Sequence, residues 1–429
     1  MIMKRKKSIA ILLIAAMCII VLAGCGNSSK ETGSSAKVIE INFPTFWVGV
    51  NTTAPWFKER VETFNKKYEG KYKVVVEEIP GDQNYIDKMK VLYASNSLPD
   101  VISTGGYNLI DMMKDKLVDL TPYLDKDSNW KSRISKEGLK VNSRDGKVYG
   151  IPFNKQIIGY FYNKELFEKA GIDKPADTWD GLLTQADKLK AAGITPFSMD
   201  TADSGWVTTL MLGAMIAGQN QAGADFMNQS LPKNYNTPEF INAATVIQKM
   251  FKNYTTSDAI GGKYENAANN FMAGKTAMIA NGPWMISSFY DTTMSPEGFA
   301  DKLGVAAYPG NVMYNSGKIG FNIAAKTPEK IEASLEFVKF MTSDESQKLQ
   351  LEVNGEIPDS PSITSDKVKP LVKDTITLGN NAKVKINDFQ SLWYANVVDE
   401  ISIQYPLLAK GSITPEQFAS ALTAAAAKN

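Results

Sequence analysis

"VIEINFPTFWVGVNTTAPWFKERVETFNKKYEGKYKVVVEEI", residues 38–79, contains a strand pattern, a helix pattern and a second strand pattern in that order. The segment VIEINF at 38–43 alternates apolar and polar residues, as a half-buried strand does. Phe57, Val61 and Phe64 then recur at helical spacing, and Gly70 ends the helix. The segment YKVVVEEI supplies the second strand. Strand, helix and strand in sequence predict parallel strands of an α/β sheet covered by helices.

The same alternation continues along the chain and predicts a second α/β block. Further strands are predicted at DVIS (100–103), KVYGIPF (147–153), IGYFYN (158–163), TPFSMD (195–200), TAMIA (276–280) and KIGFNIAA (318–325). Helices are predicted between them and over the tail, at about 392–409 and 415–427. The last helix has Thr414 as its cap, Pro415 at its first position and Gln417 placed for a capping box.

The N-terminus has the features of an export signal. Basic residues at 4–7 precede an apolar run at 9–21 and the tetrapeptide LAGC at 22–25. The apolar run is shorter than the roughly 20 residues that a membrane-spanning helix needs. LAGC resembles the bacterial lipobox, which implies cleavage before Cys25 and lipidation of that cysteine. We therefore expect a signal peptide at 1–24 and a flexible Gly/Ser-rich tether at 25–37.

Composition excludes several classes of function. The chain contains no histidine, which rules out Ser-His-Asp catalysis and histidine metal sites. Its only cysteine besides Cys25 is Cys18 in the signal, so the exported chain has no disulfide. Without the basic residues of the signal, the chain is slightly acidic and has no electrostatic footprint for nucleic acid.

Two local motifs suggest cofactors but are incomplete. AGKT at 273–276 ends like a phosphate-binding loop, yet the required first glycine is Asn269, so Lys275 is expected to be a solvated turn residue. A calcium-loop pattern starts at Asp125, but Trp130 and Lys136 stand where glycine and glutamate are needed. We expect neither a metal nor another cofactor.

Aromatic residues follow several predicted strands. Ligands of open α/β sheets bind beyond the carboxyl ends of the strands, and the residues placed there are Trp47, Tyr107, Trp206 and Trp284. Flat rings stack on the C–H faces of sugars, while amide and carboxylate groups take the hydroxyls. Such polar partners are Asn154, Gln156, Asp203 and Asn281. The arginines are scattered, so the pattern indicates a neutral polyhydroxy ligand.

Six segments together resemble the sugar-binding lipoproteins of bacterial ABC importers (family 1 extracellular solute-binding proteins), which are related to maltodextrin-binding protein. They are SLPDVI, GKVYGIPF, YFYNKELFEKAGI, TWDGL, AGKTAMIANGPW and LWYANVVDE. The resemblance implies an α/β, two-lobed periplasmic-binding-protein-like (type II) fold with three hinge crossings, here near Pro152, Ile319 and Ser360. The N-terminal lobe would comprise 38–152 and 319–360, and the C-terminal lobe 153–318 and 361–429.

The resemblance also implies roles for individual residues. Trp284 and Trp393 match sugar-stacking tryptophans, and Trp206 matches an aromatic residue of the cleft. Gln156 stands where maltodextrin binders have a glutamate, and Thr104 where they have a tryptophan, for which Tyr107 could substitute. These differences point to a ligand other than maltodextrin.

The function implied is that of a monomeric receptor without catalytic residues. It would be lipid-anchored at the extracellular face of the cell membrane, trap a neutral sugar or oligosaccharide by hinge closure, and deliver it to the transmembrane subunits of an ABC permease. Two alternatives remain open: a solute-binding protein for peptides or another non-sugar ligand, and a secreted glycoside hydrolase with paired carboxylates.

Overall fold

The strands of the chain are short, apart from one of ten residues. The computed structural model describes residues 37–49 and 51–428. Cys25 and the expected signal and tether, except Lys37, lie outside this part. The strands are β1 Ile39–Thr45, β2 Tyr72–Glu78, β3 Val101–Ser103, β4 Ser143–Arg144, β5 Lys147–Val148, β6 Asn154–Asn163, β7 Thr195–Ser198, β8 Thr276–Asn281, β9 Leu303–Ala306, β10 Val312–Gly317, β11 Phe321–Ile323, β12 Ile357–Pro358 and β13 Val384–Ile386.

Helices connect most of these strands. They are α1 Ala54–Lys67, α2 Asp82–Ala94, α3 Ile110–Met113, α4 Thr121–Lys126, α5 Ser128–Ser132, α6 Lys136–Val141, α7 Lys164–Lys169, α8 Trp179–Ala191, α9 Trp206–Gln219, α10 Gln221–Asn228, α11 Pro238–Asn253, α12 Tyr264–Met272, α13 Ile286–Tyr290, α14 Pro328–Met341, α15 Asp344–Asn354, α16 Pro370–Asn381, α17 Phe389–Leu392, α18 Ala395–Ala409 and α19 Pro415–Ala426. Single 3₁₀ turns occupy Lys114–Lys116, Asp203–Gly205, Ser257–Ala259, Pro283–Met285 and Ala300–Lys302. No helix among the described residues is both long enough and apolar enough to cross a membrane.

The predicted cap of the last helix is confirmed. The backbone N–H of Gln417 donates to Thr414 Oγ1 at 3.3 Å, and the N–H of Thr414 donates to Gln417 Oε1 at 2.8 Å. Pro415 occupies the first helical position, where its missing N–H costs nothing because that group has no partner within the helix.

The sheets are mixed rather than purely parallel. β1 pairs with β2, β7 with β8, and β10 with β13 in parallel. The long strand β6 runs antiparallel to β8, β9, β10 and β12, and β11 runs antiparallel to β3. The expectation of an all-parallel sheet is therefore wrong for β6. No helix separates β5 from β6, so no crossover connection forces β6 to run parallel to its neighbours.

The first hydrophobic core is built from β1, β2, β3 and β11 with the helices that cover them. Phe43, Phe64, Phe321 and Phe337 form its aromatic centre, with ring centroids 5.1 to 6.4 Å apart in the contacting pairs. Tyr85, Ile86 and Met89 attach α2 to this core.

The second hydrophobic core surrounds α9. This helix is buried from Val207 to Ala217 and is packed by α10, α11, β8 and β10. A helix that is apolar all around must be covered on every side. The two cores account for the α/β blocks inferred from the sequence.

The chain changes from one core to the other three times. The changes lie between Phe153 and Ile158, between Tyr314 and Phe321, and between Met341 and Leu351. The third change falls within α15, earlier than the expected crossing near Ser360. Three connections of this kind place the starts of β6 and β11 and the middle of α15 at the junction of the cores.

Candidate functional site

The loop after β3 lies where the two cores meet. Tyr107 packs against both cores. The backbone N–H of Asn108 donates to the carbonyl of Gln390 at 2.8 Å, and Ser391 Oγ donates to the carbonyl of Gly106 at 3.1 Å. The loop of the first core is thus hydrogen-bonded directly to α17 of the second.

Three aromatic side chains cluster beside this loop. The ring centroid of Trp206 lies 5.4 Å from that of Trp284 and 6.0 Å from that of Tyr264, both at steep interplanar angles. Trp206 Nε1 donates to Gln390 Oε1 at 3.1 Å. All three rings are only partly buried. We call Tyr107, Trp206, Tyr264 and Trp284 the aromatic group.

A glycine allows Trp284 to take its position. A Cβ atom at Gly282 would lie 2.2 Å from two carbon atoms of the Trp284 ring, so any larger residue would displace the ring. Asn281, at the end of β8, is almost fully buried and donates from Nδ2 to the hydroxyl of Tyr264 at 3.2 Å. The Asn281-Gly282-Pro283 turn therefore positions the rings of Trp284 and Tyr264 at the end of β8.

Trp206 is presented by a strained turn. Asp203 and Ser204 have positive φ angles of 51° and 67°, which non-glycine residues rarely adopt. Gly205 follows at φ 49°, and a Cβ there would lie 2.5 Å from the Tyr405 ring. Strained backbone of this kind concentrates at functional sites.

Buried amides form a polar floor at the start of β6. Asn154 and Gln156 point to the same face of the strand, and Ser316 of β10 lies directly opposite Gln156. Asn154 Nδ2 donates to Glu356 Oε2 at 2.9 Å. Asn154 Oδ1, Gln156 Oε1 and Ser316 Oγ are buried without a hydrogen-bond partner. Unsatisfied buried oxygens are costly and call for a partner from outside the protein.

A polar cavity of about 260 Å³ lies beside the turn that precedes Trp206. It lies between α2 of the first core and the second core, and its lining side chains are Gln83, Asp87, Asp203, Asp399 and Ser402. Its volume is near the lower end of ligand pockets, which measure about 300–1,000 Å³.

Carboxyl groups around the junction have perturbed pKa values. Asp82 is exposed at the start of α2, and its pKa is raised by partial desolvation and by Glu265 and Asp203 but lowered by Lys318. Burial raises the pKa of Asp388 to about 6 and also raises that of Glu356, and Lys318 opposes both shifts. Lys318 is thus the cation nearest the centre of the site.

The structure brings most of the sequence-selected residues to this junction. Those that line it or hold its rings are Tyr107, Asn154, Gln156, Asp203, Trp206, Asn281 and Trp284.

Trp47 and Trp393 lie elsewhere, inside the cores. Trp47 is 5% exposed and is enclosed by aromatic rings of the first core, including Trp56 and Phe153. Trp393 is fully buried against Phe226 and Tyr235 of the second core. Neither ring offers a face to a ligand in this structure, because packing from distant segments covers both.

Sequence reasoning did not select several residues of the junction. They are Asp82, Gln83, Tyr264, Lys318, Glu356, Asp388 and Gln390. Gln390 and Asp388 follow β13, a strand of three residues that was not predicted, and Asp82 opens a helix whose position is fixed only by tertiary packing. Recognising β13 would have placed Asp388 and Gln390 at a strand end, where ligands bind.

The two incomplete cofactor motifs lie away from this junction. Lys275 is exposed in a turn, next to Gly274 with φ 69°. In the calcium-like segment, Asp127 accepts from the N–H of Trp130 at 3.0 Å and caps α5. Within residues 37–49 and 51–428, no group of three or more acidic or cysteine side chains is arranged to hold a metal ion.

Comparison with protein families gives one match over most of the chain. The family model described as bacterial extracellular solute-binding protein matches residues 59–376. The chain is 26% identical to the multiple sugar-binding protein of Streptococcus mutans, over 86% of each chain. It is also 26% identical to a maltooligosaccharide ABC transporter solute-binding lipoprotein of Streptococcus pneumoniae, over 83% of this chain and 81% of the relative.

Solved structures show the same fold. A chitin oligosaccharide binding protein superposes with a TM-score of 0.82 at 20% identity, covering 91% of this chain and 98% of that one. The fold is therefore that of the two-lobed periplasmic solute-binding proteins, in mixed α/β form.

Proposed function

This chain belongs to the family of bacterial extracellular solute-binding proteins, and we propose that it captures a saccharide at the junction of its two cores for an ABC permease. The aromatic group beside unpartnered amide oxygens is the observation that carries this proposal. The sugar-binding names of its relatives support it.

The chemistry of the junction suits a sugar. A pyranose ring stacks its C–H face on Trp284 or Trp206, since aromatic faces attract polarised C–H groups. Its hydroxyls donate to Asn154 Oδ1 and Gln156 Oε1, which are 2% and 3% exposed as whole residues and have no other partner for those oxygens. Each such bond contributes about 1 kcal/mol net, and it also removes the cost of an orphaned group.

Closure of the two lobes is the proposed means of capture. Residues 38–152 and 319–360 would move as one lobe against 153–318 and 361–429, with hinges near Pro152, Ile319 and Ser360. A ligand favours closure only if it binds the closed form more tightly. A site with one wall from each core meets this condition, because closure doubles the ligand's contacts.

We place the protein at the extracellular face of the membrane as a monomer. The lipobox-like LAGC motif supports an acyl anchor on Cys25 after removal of the signal at 1–24. One of the relatives is named a lipoprotein. Mass spectrometry of the mature N-terminus detects acylation of Cys25 directly.

The experiment that tests the function is a saccharide array followed by calorimetry. We expect saturable binding of at least one saccharide, with the ligand recovered unchanged. New reducing ends after prolonged incubation would indicate a glycoside hydrolase, and exclusive binding of peptides would indicate a receptor for another solute. Either result contradicts the proposal.

A further inference from the structure

Carboxylates gather beside the proposed sugar site, around the turn at Asp203–Gly205 that precedes Trp206. Asp87, Asp203 and Asp399 line the 260 Å³ cavity. Asp82, at the start of α2, lies close enough to Asp203 and Glu265 for their charges to raise its pKa. We call these five side chains, Asp82, Asp87, Asp203, Glu265 and Asp399, the acidic wall.

The acidic wall has fewer cations than carboxylates. Lys90 Nζ lies 2.7 Å from Asp399 and 3.6 Å from Asp87, and Lys263 Nζ lies 3.4 Å from Asp203. Among the described residues, Asp82 and Glu265 have no ion pair. The wall therefore carries an excess of negative charge when its carboxyl groups are ionised.

Three of the unpartnered buried groups near the junction are acceptors, whereas the hydroxyl of Ser316 can either donate or accept. Asn154 Oδ1, Gln156 Oε1 and Asp388 Oδ1 are oxygens without a hydrogen-bond partner, on side chains at least nine-tenths buried. None of these atoms can donate when Asp388 is ionised. A ligand that satisfies them must bring donors, as hydroxyl and amino groups do and as carboxylate, sulfate or phosphate groups do not.

Lys318 shows that an ammonium group fits here. Its side chain runs beside Gly106, where a Cβ would lie 3.2 Å from Lys318 Cε. Its ammonium lies 5.6 Å from the centre of the Trp284 ring, which is within the range of a cation–π contact. Within the described chain it forms no ion pair of 4 Å or less. Its charge acts on Asp82, Asp388 and Glu356, whose pKa values are raised by desolvation and lowered by Lys318.

We propose that the ligand is an amino sugar, or an oligosaccharide with a free amine, whose protonated amine faces the acidic wall while its hydroxyls bind the buried acceptors. This inference rests on the proposed function and narrows it. A protonated amine differs from the neutral ligand expected from the sequence. That expectation rested on the scattered arginines, which exclude an anionic ligand but not a cationic one. The gathering of the carboxylates is visible only in the fold.

The test compares matched saccharides that differ only in charge. Each backbone of the array is presented in neutral, free-amine and uronic acid forms, and the hits are titrated by calorimetry at low and at physiological salt. We expect the free-amine form to bind at least tenfold more tightly than its neutral parent. This advantage should shrink as salt screens the wall, and the uronic acid form should bind weakest.

Two variants test whether the acidic wall causes the preference for the free-amine form. Asp82→Asn, which keeps the shape of the side chain, should lower the ratio of amine to neutral affinity severalfold. Asp145→Asn is the matched control, since Asp145 is an exposed aspartate paired with Lys114 in the turn between β4 and β5. It should leave the ratio unchanged.

The outcomes distinguish the two proposals. If saccharides bind but the neutral or uronic acid form is preferred, the amino-sugar inference is wrong while the sugar-binding function stands. An amine preference that persists in Asp82→Asn as in wild type would also overturn the role of the wall. If no saccharide of any charge binds, both proposals fail.

Discussion

Trp284 is the residue on which the proposed site depends most. Its ring rests against the backbone of Gly282 and meets Trp206 at 5.4 Å, while part of its surface stays exposed. A ring held by its neighbours but not enclosed loses little entropy when a ligand stacks on it. Such preorganised aromatic residues commonly carry much of a binding energy.

We predict that Trp284→Ala weakens saccharide binding by about 2 kcal/mol or more, roughly thirtyfold in affinity, with the fold retained. Lys275→Ala is the control, because Lys275 is exposed in the turn before β8. It should bind as wild type does. Calorimetric titration of both variants decides the matter; full affinity in Trp284→Ala would make this tryptophan structural.

Asp200 gives a prediction about stability and pH. It is fully buried and accepts hydrogen bonds from the N–H groups of Val207 and Thr208 at the start of α9. Burial raises its pKa to about 7 from an ordinary value of 3.8. A raised carboxyl pKa means that the folded state favours the protonated form. This contribution is fully present below about pH 4 and is lost as pH rises toward 7.

Asp200→Asn should remove this dependence. We expect the free energy of unfolding of wild type, relative to the variant, to fall by up to about 4 kcal/mol between pH 4 and pH 7, at about 1.4 kcal/mol per pKa unit. Urea unfolding of both proteins across this range measures it. Parallel stability curves would show that Asp200 is not titrating there.

At the residue scale, the sequence showed where the tryptophans stand relative to their elements but not which of them are exposed. Trp284 could be placed because a strand, Asn281 and Gly282 precede it locally. Trp393 follows a similar polar stretch, yet Phe226 and Tyr235, which bury it, are more than 150 positions away. Burial by distant segments cannot be read from neighbouring residues.

Among elements, α2 of the first core and α18 of the second are joined by an ion pair. Lys90 of α2 bonds Asp399 of α18 at 2.7 Å, and both side chains are partly exposed. An ion pair of this kind contributes at most about 1 kcal/mol. The Lys90–Asp399 pair nevertheless stabilises only the arrangement in which the two lobes are in contact.

Lys90→Met should therefore weaken binding of a neutral saccharide by about two- to fivefold, equivalent to about 0.4–1 kcal/mol. Lys88→Met is the matched control on the same helix, because Lys88 pairs with Glu77 within the first lobe. An equal effect of the two substitutions on calorimetric affinity would argue against a role for the α2–α18 contact in capture.

Several helices followed from sequence, but the strands β9, β10, β12 and β13 and the direction of β6 did not. Helices such as α9 and α19 are marked by apolar periodicity and by caps. The direction of β6 depends on the core from which the chain enters this strand. The residues just before it, Ile151 and Phe153, belong to the first core. That information lies in tertiary packing, so the mixed sheet emerged only from the structure.

For the molecule as a whole, the arrangement of two cores suits the proposed capture of a ligand between two lobes. Each core is independently dense, with aromatic clusters such as Phe43–Phe337 in one and Tyr405–Phe418 in the other. The junction between them is polar and holds unsatisfied oxygens. We therefore infer that stability resides in the cores and propose that the junction opens.

Small-angle X-ray scattering with and without a saturating saccharide tests the central claim, that a sugar is held between two lobes which close on it. The account predicts a smaller radius of gyration with the saccharide, and a much smaller decrease for Trp284→Ala at the same saccharide concentration. An unchanged curve for wild type, at a concentration where calorimetry shows full occupancy, would contradict it.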